Sequence, residues 1–237
     1  CLIYVPRELY DSALKNKIVE ILERSFQGTV TTWQAQFGEM AFARIHFILT
    51  FHQKEIPAYN LKEIEDELLL ASLTWRDHLY RALFTTVGEE KGQHLFEHYG
   101  KSFSKGYQER FTPDDAVHDI LEIENVFEHS TFQTALNYSD KKDKSHFKLK
   151  IYIQDGPIAL FKVLPVLENM DFRVLSEISF VVTLPNNRKV WVHEFDIKTQ
   201  EGNPVELSHF REYFLEGFYL IWNENIENDG FNRLIVR

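Results

Sequence analysis

One ordering of elements, met twice along the chain, constrains its fold more than its composition does. Near the start, Leu2–Val5 reads as a short strand closed by Pro6. A helical face of Leu14, Ile18, Ile21, Leu22 and Ser25 follows, and Gly28 ends it. Thr29–Phe37 is rich in Thr, Val and Trp, which suits a strand, and Gly38-Glu39 suits a turn. Ala41–Phe51 alternates, with Ala43, Ile45, Phe47, Leu49 and Phe51 on one side, the signature of a half-buried strand. Asn60 then caps a long helix carrying Leu61, Ile64, Leu68, Ala71, Trp75, Leu79 and Leu83 on one face.

The same order returns near the end. Phe147–Ile153 is a strand, and Asp155-Gly156-Pro157 opens a helix with Ile158, Phe161, Leu164 and Leu167, which Pro165 should kink or tighten in its last turn. Arg173–Thr183 and Lys189–Thr199 are strands joined by the turn Leu184-Pro185-Asn186-Asn187. Ser208 caps a last helix bearing Leu207, Phe210, Phe214, Ile221 and Trp222. The order β-α-β-β-α is most of a ferredoxin-like unit, so the expected class is α+β: two two-layer sandwiches, each an antiparallel sheet under two helices. Phe132–Tyr138 forms a hairpin with Phe147–Ile153 across SDKKDKSH and should complete the second sheet. A matching strand for the first unit would precede Cys1, leaving an edge open to another chain or to the second unit.

Between the repeats the pattern is helical. Residues 86–112 carry Gly88, Gly92, Gly100 and Gly106 with short helical pieces between them. Thr112-Pro113-Asp114-Asp115 is a strong helix start, with an N-cap, a proline at the first position and two acids at the positive dipole end. That helix should bury Val117, Ile120, Leu121 and Phe127. The expected division is 1–85 for the first unit, 86–130 for a helical connector, and 131–237 for the second unit with its added N-terminal hairpin strand.

Charge and motif content narrow the chemistry. Lys and Arg number 26 against 36 Asp and Glu, a net charge of −10, which argues against a phosphate-neutralising surface and hence against nucleic acid. No uncharged apolar run approaches the ~18 residues of a membrane span. One cysteine, Cys1, permits no intrachain disulfide and suits a cytoplasmic setting. The chain opens without Met, directly in a strand-like segment, and reads as a piece of a longer protein. Glycine-rich dinucleotide and phosphate loops, a GxSxG elbow and HExxH are all absent from the string, so no catalytic, cofactor-binding or metal residue is assigned.

His94 and His98 share a helical face, but no third ligand is marked, and they read as a surface pair. His46 and His193 read as residues that finish a polar face or a hydrogen bond. The acids Glu63, Glu65, Asp66 and Glu67 fit a solvated helix start. The one candidate ligand site is Asp155 and Gly156. If a helix starts there, free N–H groups beside a glycine could take the carboxylate of a small amino acid; the other reading is a tight turn.

Several strings, collinear over nearly the whole chain, resemble the large bacterial NAD-specific glutamate dehydrogenases: YVPRELYDSALKNKI, FARIHFIL, LTWRDHLYRAL with GEEKG, GYQERFTPDDAVHDI, LPVLENMDFRVLSE, VHEFDI and ENDGFNRLIV. The resemblance implies that the two units are ACT-like domains from the region before the catalytic core. It implies NAD as cofactor of the parent enzyme, which oxidatively deaminates L-glutamate to 2-oxoglutarate, and none in this segment. It further implies a downstream catalytic domain of the same chain as partner, a homo-oligomer, and an amino acid as the class of effector.

Overall fold

The computed structural model describes residues 1–38, 41–51, 57–129, 132–140, 142–154 and 156–236. The chain divides into two compact units, Cys1–His78 and Leu79–Arg237. Each is α+β, with antiparallel strands under helices, the class its element order requires.

Unit one comprises β1 (Leu2–Pro6), α1 (Ser12–Phe26), β2 (Gly28–Phe37), β3 (Phe42–Phe51) and α2 (Leu61–Ser72). Its sheet has the order β1-β3-β2, with Leu2 opposite His46 and Phe37 opposite Ala43. The alternation of β3 sets the layers: Ala43, Ile45 and Phe47 are fully buried against Leu14, Ile18 and Leu22 of α1 and Ile64 of α2. Asp11 caps α1 by accepting the Leu14 N–H at 2.7 Å. The helix ends one residue before the expected glycine: Gln27 takes the left-handed position, with φ 48°. Gly28 instead begins β2, where a Cβ would sit 2.8 Å from the Thr50 carbonyl oxygen. The expected Gly38-Glu39 turn falls partly outside the described residues, at Glu39.

The long helix expected from Leu61 to Leu83 is two. Asn60 accepts the Lys62 N–H at 3.1 Å and starts α2 as expected, but Leu73 is extended and α3 runs from Trp75 to Val87. The break is a capping box. The Asp77 N–H donates to Thr74 Oγ1 at 3.2 Å, and the Thr74 N–H donates to Asp77 Oδ2 at 2.9 Å. A common apolar stripe over both helices hid this Thr-x-x-Asp signature.

Unit two continues with α4 (Glu89–Tyr99), α5 (Lys105–Arg110), α6 (Pro113–His129), β4 (Phe132–Asp140), β5 (Asp143–Ile153), α7 (Leu160–Asn169), β6 (Phe172–Thr183), β7 (Lys189–Thr199) and α8 (Leu207–Trp222). The sheet order is β4-β5-β7-β6, all antiparallel. One face packs Phe147, Leu149, Ile151, Phe195 and Ile197 against Val163 and Leu167 of α7 and Phe214 and Phe218 of α8. Phe132 stacks on Trp222 at 5.4 Å.

The other face is covered as well. Tyr107 and Phe111 close on Phe180 of β6, the Arg188 guanidinium lies 3.6 Å from the Phe127 ring, and Gln154 donates to the Val126 carbonyl. β7 therefore buries Val190, Val192 and Glu194 as well as Phe195 and Ile197. The helices before β4 make a third layer on this sheet, beyond the two layers that periodicity gave. Within α6, Val117 and Ile120 are buried as expected; Leu121 and Phe127 are only half-buried, and Asp119 takes a core position.

Two helix starts differ from expectation. α8 begins without a side-chain cap of its own, and Ser208 lies inside its first turn. The Tyr138 hydroxyl, reaching from β4, donates to the Val205 carbonyl and accepts the Leu207 N–H, both at 2.8 Å. α7 starts at Leu160, three residues beyond Pro157, and keeps Pro165 inside a continuous helical span.

The Thr74 hydroxyl and backbone N–H hold the Asp77 carboxyl below its usual range. Thr74→Ala is expected to lower stability by about 1 kcal/mol near neutral pH. A carboxyl depressed in the folded state stabilises fully above its unfolded pKa of about 3.9 and loses this as pH falls through the lower folded value. The gap between the urea midpoints of the two proteins should therefore narrow below about pH 4, leaving the part due to the Thr74 Oγ1 acceptor; a gap independent of pH would remove the Asp77 carboxylate from the cap.

Candidate functional site

A concave feature of unit two lies between α6 and the β4–β5 hairpin. It is a cleft of about 980 Å³, reached also by Arg110 at the end of α5 and by Arg211 of α8. Residues Asp115, His118, Asp119 and Glu122 face it from α6, at the spacing that puts one helical stripe on one side. Lys148, Lys150 and Tyr152 face it from β5, alternating with the core residues Phe147, Leu149 and Ile151.

Asp119 anchors the floor. It is 1% exposed, and Lys150 Nζ lies 2.8 Å from both of its carboxylate oxygens. The Tyr152 hydroxyl donates to Oδ1 at 2.8 Å and the Tyr107 hydroxyl donates to Oδ2. Burial and the adjacent Asp119 charge push both phenols well above their ordinary range, so both remain protonated donors. Lys150 Nζ also lies 4.0 Å from the Phe111 ring centre.

A second cluster continues along the sheet. Glu194, 7% exposed, takes Arg110 at 3.1 Å and Lys148 Nζ at 3.6 Å. Lys148 Nζ also reaches Asp196 at 3.0 Å, where His146 Nε2 is a further partner. Burial pushes the Asp196 carboxyl up, but the hydrogen bonds from Lys148 and His146 outweigh it and the net shift is downward. At the rim, Arg211 donates to Asn137 Oδ1 at 3.1 Å, and Glu122 accepts from Asn125 Nδ2 at 3.3 Å. The cleft is thus lined by equal numbers of cations and carboxylates.

The site expected from sequence lies elsewhere. Asp155 falls outside the described residues. Gly156 has φ 135° and open space where a Cβ would stand. The helix whose start would offer free N–H groups begins only at Leu160, because Pro157 biases its predecessor away from helix and the next donor is already taken. The Ile158 N–H donates to His193 Nε2 at 3.1 Å, while His193 Nδ1 is 2.8 Å from Glu177 Oε1. His193 is 2% exposed. The bonding assigns it the tautomer that gives a proton to Glu177 and accepts one from Ile158.

The His94 and His98 rings lie 4.4 Å apart, tilted at 41°. Among the described residues no cluster of three or more His, Cys, Asp or Glu could hold a metal. Sequence reasoning missed the cleft, although two signals were present. Asp119 sits on the apolar face that also carries Ala116, Ile120 and Ile123, and β5 alternates lysine or tyrosine with core residues. Neither acquires meaning until the helix is laid on the strand.

Comparison with known proteins follows this architecture. Residues 1–76 match the glutamate dehydrogenase ACT2 domain, 82–126 match glutamate dehydrogenase helical motif 2, and 131–210 match the glutamate dehydrogenase ACT3 domain. The three matches follow one another along the chain in that order. Among relatives, the NAD-specific glutamate dehydrogenase of Pseudomonas aeruginosa is 31% identical over 236 residues, and that of Halomonas elongata 30%. The Mycobacterium tuberculosis protein of the same name is 29% identical over 254 aligned positions. All of this chain is covered, but it spans only 15% of the length of each relative. Most of the cleft lining falls in the segments 82–126 and 131–210 that match helical motif 2 and ACT3; Arg211 and Leu215 lie just beyond them.

Asp119→Ala would strand Lys150 and two tyrosine hydroxyls between α6 and the sheet, and a loss of about 3–5 kcal/mol is expected in chemical denaturation. A loss below about 1 kcal/mol would mean that water replaces the carboxylate. His193→Ala removes the acceptor of the Ile158 N–H; hydrogen exchange at that amide should accelerate, and stability should fall by about 1–3 kcal/mol. Unchanged exchange there would rule out the His193 latch.

Proposed function

We propose that this chain is a non-catalytic regulatory and assembly segment of an NAD-dependent glutamate dehydrogenase. The parent enzyme would convert L-glutamate, NAD and water to 2-oxoglutarate, ammonia and NADH, in the cytoplasm. The observation that carries the reading is the collinear order of ACT2, helical motif 2 and ACT3 over this chain. Its working division is a first ACT-like unit at 1–85, a helical connector at 86–130 and a second ACT-like unit at 131–237. The segment acts through interfaces, with the downstream catalytic domain of the same chain and with further copies in a homo-oligomer; NAD binds the parent and not this part. In support, no described helix is long and apolar enough to cross a membrane.

A second reading is an amino-acid-sensing module with its ligand at Asp155 and Gly156. The positive φ of Gly156 and the open space above it favour this, because the backbone there is approachable. A purely structural scaffold is the remaining alternative, and it predicts no ligand.

The test has two arms. The chain incubated with L-glutamate and NAD should give no NADH absorbance, whereas turnover would overturn the non-catalytic reading. Deleting the segment from an intact parent enzyme should change its sedimentation or its effector response; an enzyme unchanged in both would overturn a regulatory and assembly role.

A further inference from the structure

We propose that the open face and edge of the first sheet are covered, in the intact protein, by a helix and a strand of the same chain that lead into β1, the helix setting a carboxylate on Arg44. The two sheets correspond strand for strand, β1-β3-β2 with β5-β7-β6. In unit two, β4 pairs with β5, and α6 packs on the face away from α7 and α8. Both elements come ahead of β5 in the chain, and β4 enters it through a tight turn, with Asp140 opposite Asp143. Among the described residues, unit one has neither. The Phe47 N–H donates to the Cys1 carbonyl and the Arg7 N–H to the Ala41 carbonyl, both at 2.9 Å. Alternate residues of β1 therefore bond β3, and Leu2 and Tyr4 turn their N–H and C=O groups to the open edge. An unpaired edge beside an apolar face is a template for a further strand.

The chemistry of the face selects its cover. Leu2, Tyr4, Phe42 and Ile48 are exposed there together, a patch rather than the single apolar residues normal on a surface. They share the face with His46, opposite Leu2, and Arg44, opposite Tyr4. Arg44 donates to the neutral Gln36 Oε1, and among the described residues it forms no ion pair. On its other side β2 supplies Gln34 and Gln36 opposite His46 and Arg44, so the sheet itself offers the guanidinium no carboxylate. A cover that buries Arg44 must bring one. In unit two α6 does this, its Asp119 meeting Lys150 of β5. A second copy seated face to face would bring another Arg44 and no acid. Charge therefore favours a helix with an acidic position inside an apolar stripe, drawn from the same chain as in unit two. The inference rests on the reading of this chain as a segment of a longer enzyme, in line with its spanning 15% of the length of each relative.

The experiment is photo-crosslinking in the intact parent enzyme carrying Phe42→p-benzoylphenylalanine, read by peptide mass spectrometry on mixed light- and heavy-isotope chains. The cross-link should join position 42 to its own chain, no more than one helix and one strand ahead of position 1. A link to another copy, to unit two or to a later part of the chain would overturn the proposal, as would a face that links to nothing. Arg44→Glu should lower the yield of that cross-link by about tenfold, and Arg44→Lys should keep most of it. Equal yields in all three proteins would overturn the carboxylate. Arg44 is exposed, so the melting temperature of the 237-residue chain should not move in either variant. Hydrogen exchange at the Leu2 and Tyr4 amides should be slower in the intact enzyme than in the 237-residue chain, and equal rates would overturn the added strand. NADH formation from L-glutamate and NAD by the same intact protein tests the enzyme reading separately. An active enzyme with an open face sinks this proposal alone; a covered face on an inactive protein sinks that reading alone.

Discussion

The second unit depends on one buried carboxylate. Asp119 leaves α6 at a core position, 1% exposed, and is met by Lys150 and Tyr152 from β5 and by Tyr107 from α5. Two helices and a central strand are thereby tied to a single charge. A buried ion pair returns little net stability by itself, but its geometry is demanding. Here that geometry fixes the register in which α6 crosses the sheet, and with it the cleft walls. Satisfied donors at both oxygens make this a specifying contact, and no buried side-chain polar atom among those described lacks a partner.

That contact separates the two units. Both carry the strand order in which a central strand separates the first from the second: β1-β3-β2 in unit one and β5-β7-β6 within unit two. Unit two adds β4 outside β5, and its sheet is buried on both faces. In unit one the face opposite α1 and α2 keeps Tyr4, Phe42 and Ile48 exposed. The same element order thus supports two different surroundings. In unit two the difference comes from α6, whose charged stripe of Asp115, His118, Asp119 and Glu122 meets the lysines of β5.

Legibility followed periodicity. The faces of β3 and α1 were readable because a period of two or of 3.6 survives any tertiary arrangement. Asp11 and Asn60, the caps of α1 and α2, act through adjacent backbone and belong to the same local level. The break at Leu73 was locally encoded as well, by Thr74 and Asp77, yet the shared apolar stripe outweighed it. Ser208 failed as a cap because Tyr138, distant in sequence, already serves the start of α8. Gly156 failed as a helix opener for a similar reason: His193, distant in sequence, claims the Ile158 N–H.

The sequence by itself determined the α+β class, the repeated β-α-β-β-α order and the resemblance to the ACT regions of glutamate dehydrogenases, since these rest on local periodicity and on collinear strings. Tertiary structure alone decided that α6 covers the free face of the second sheet, that Asp119 meets Lys150, and that Arg211 and Glu122 share a cleft. Those pairings join residues 31 or more positions apart in the case of Asp119 and Lys150, and no local pattern carries a partner's address. A charge on a helix stripe reads as solvated until a strand of opposite charge is laid against it.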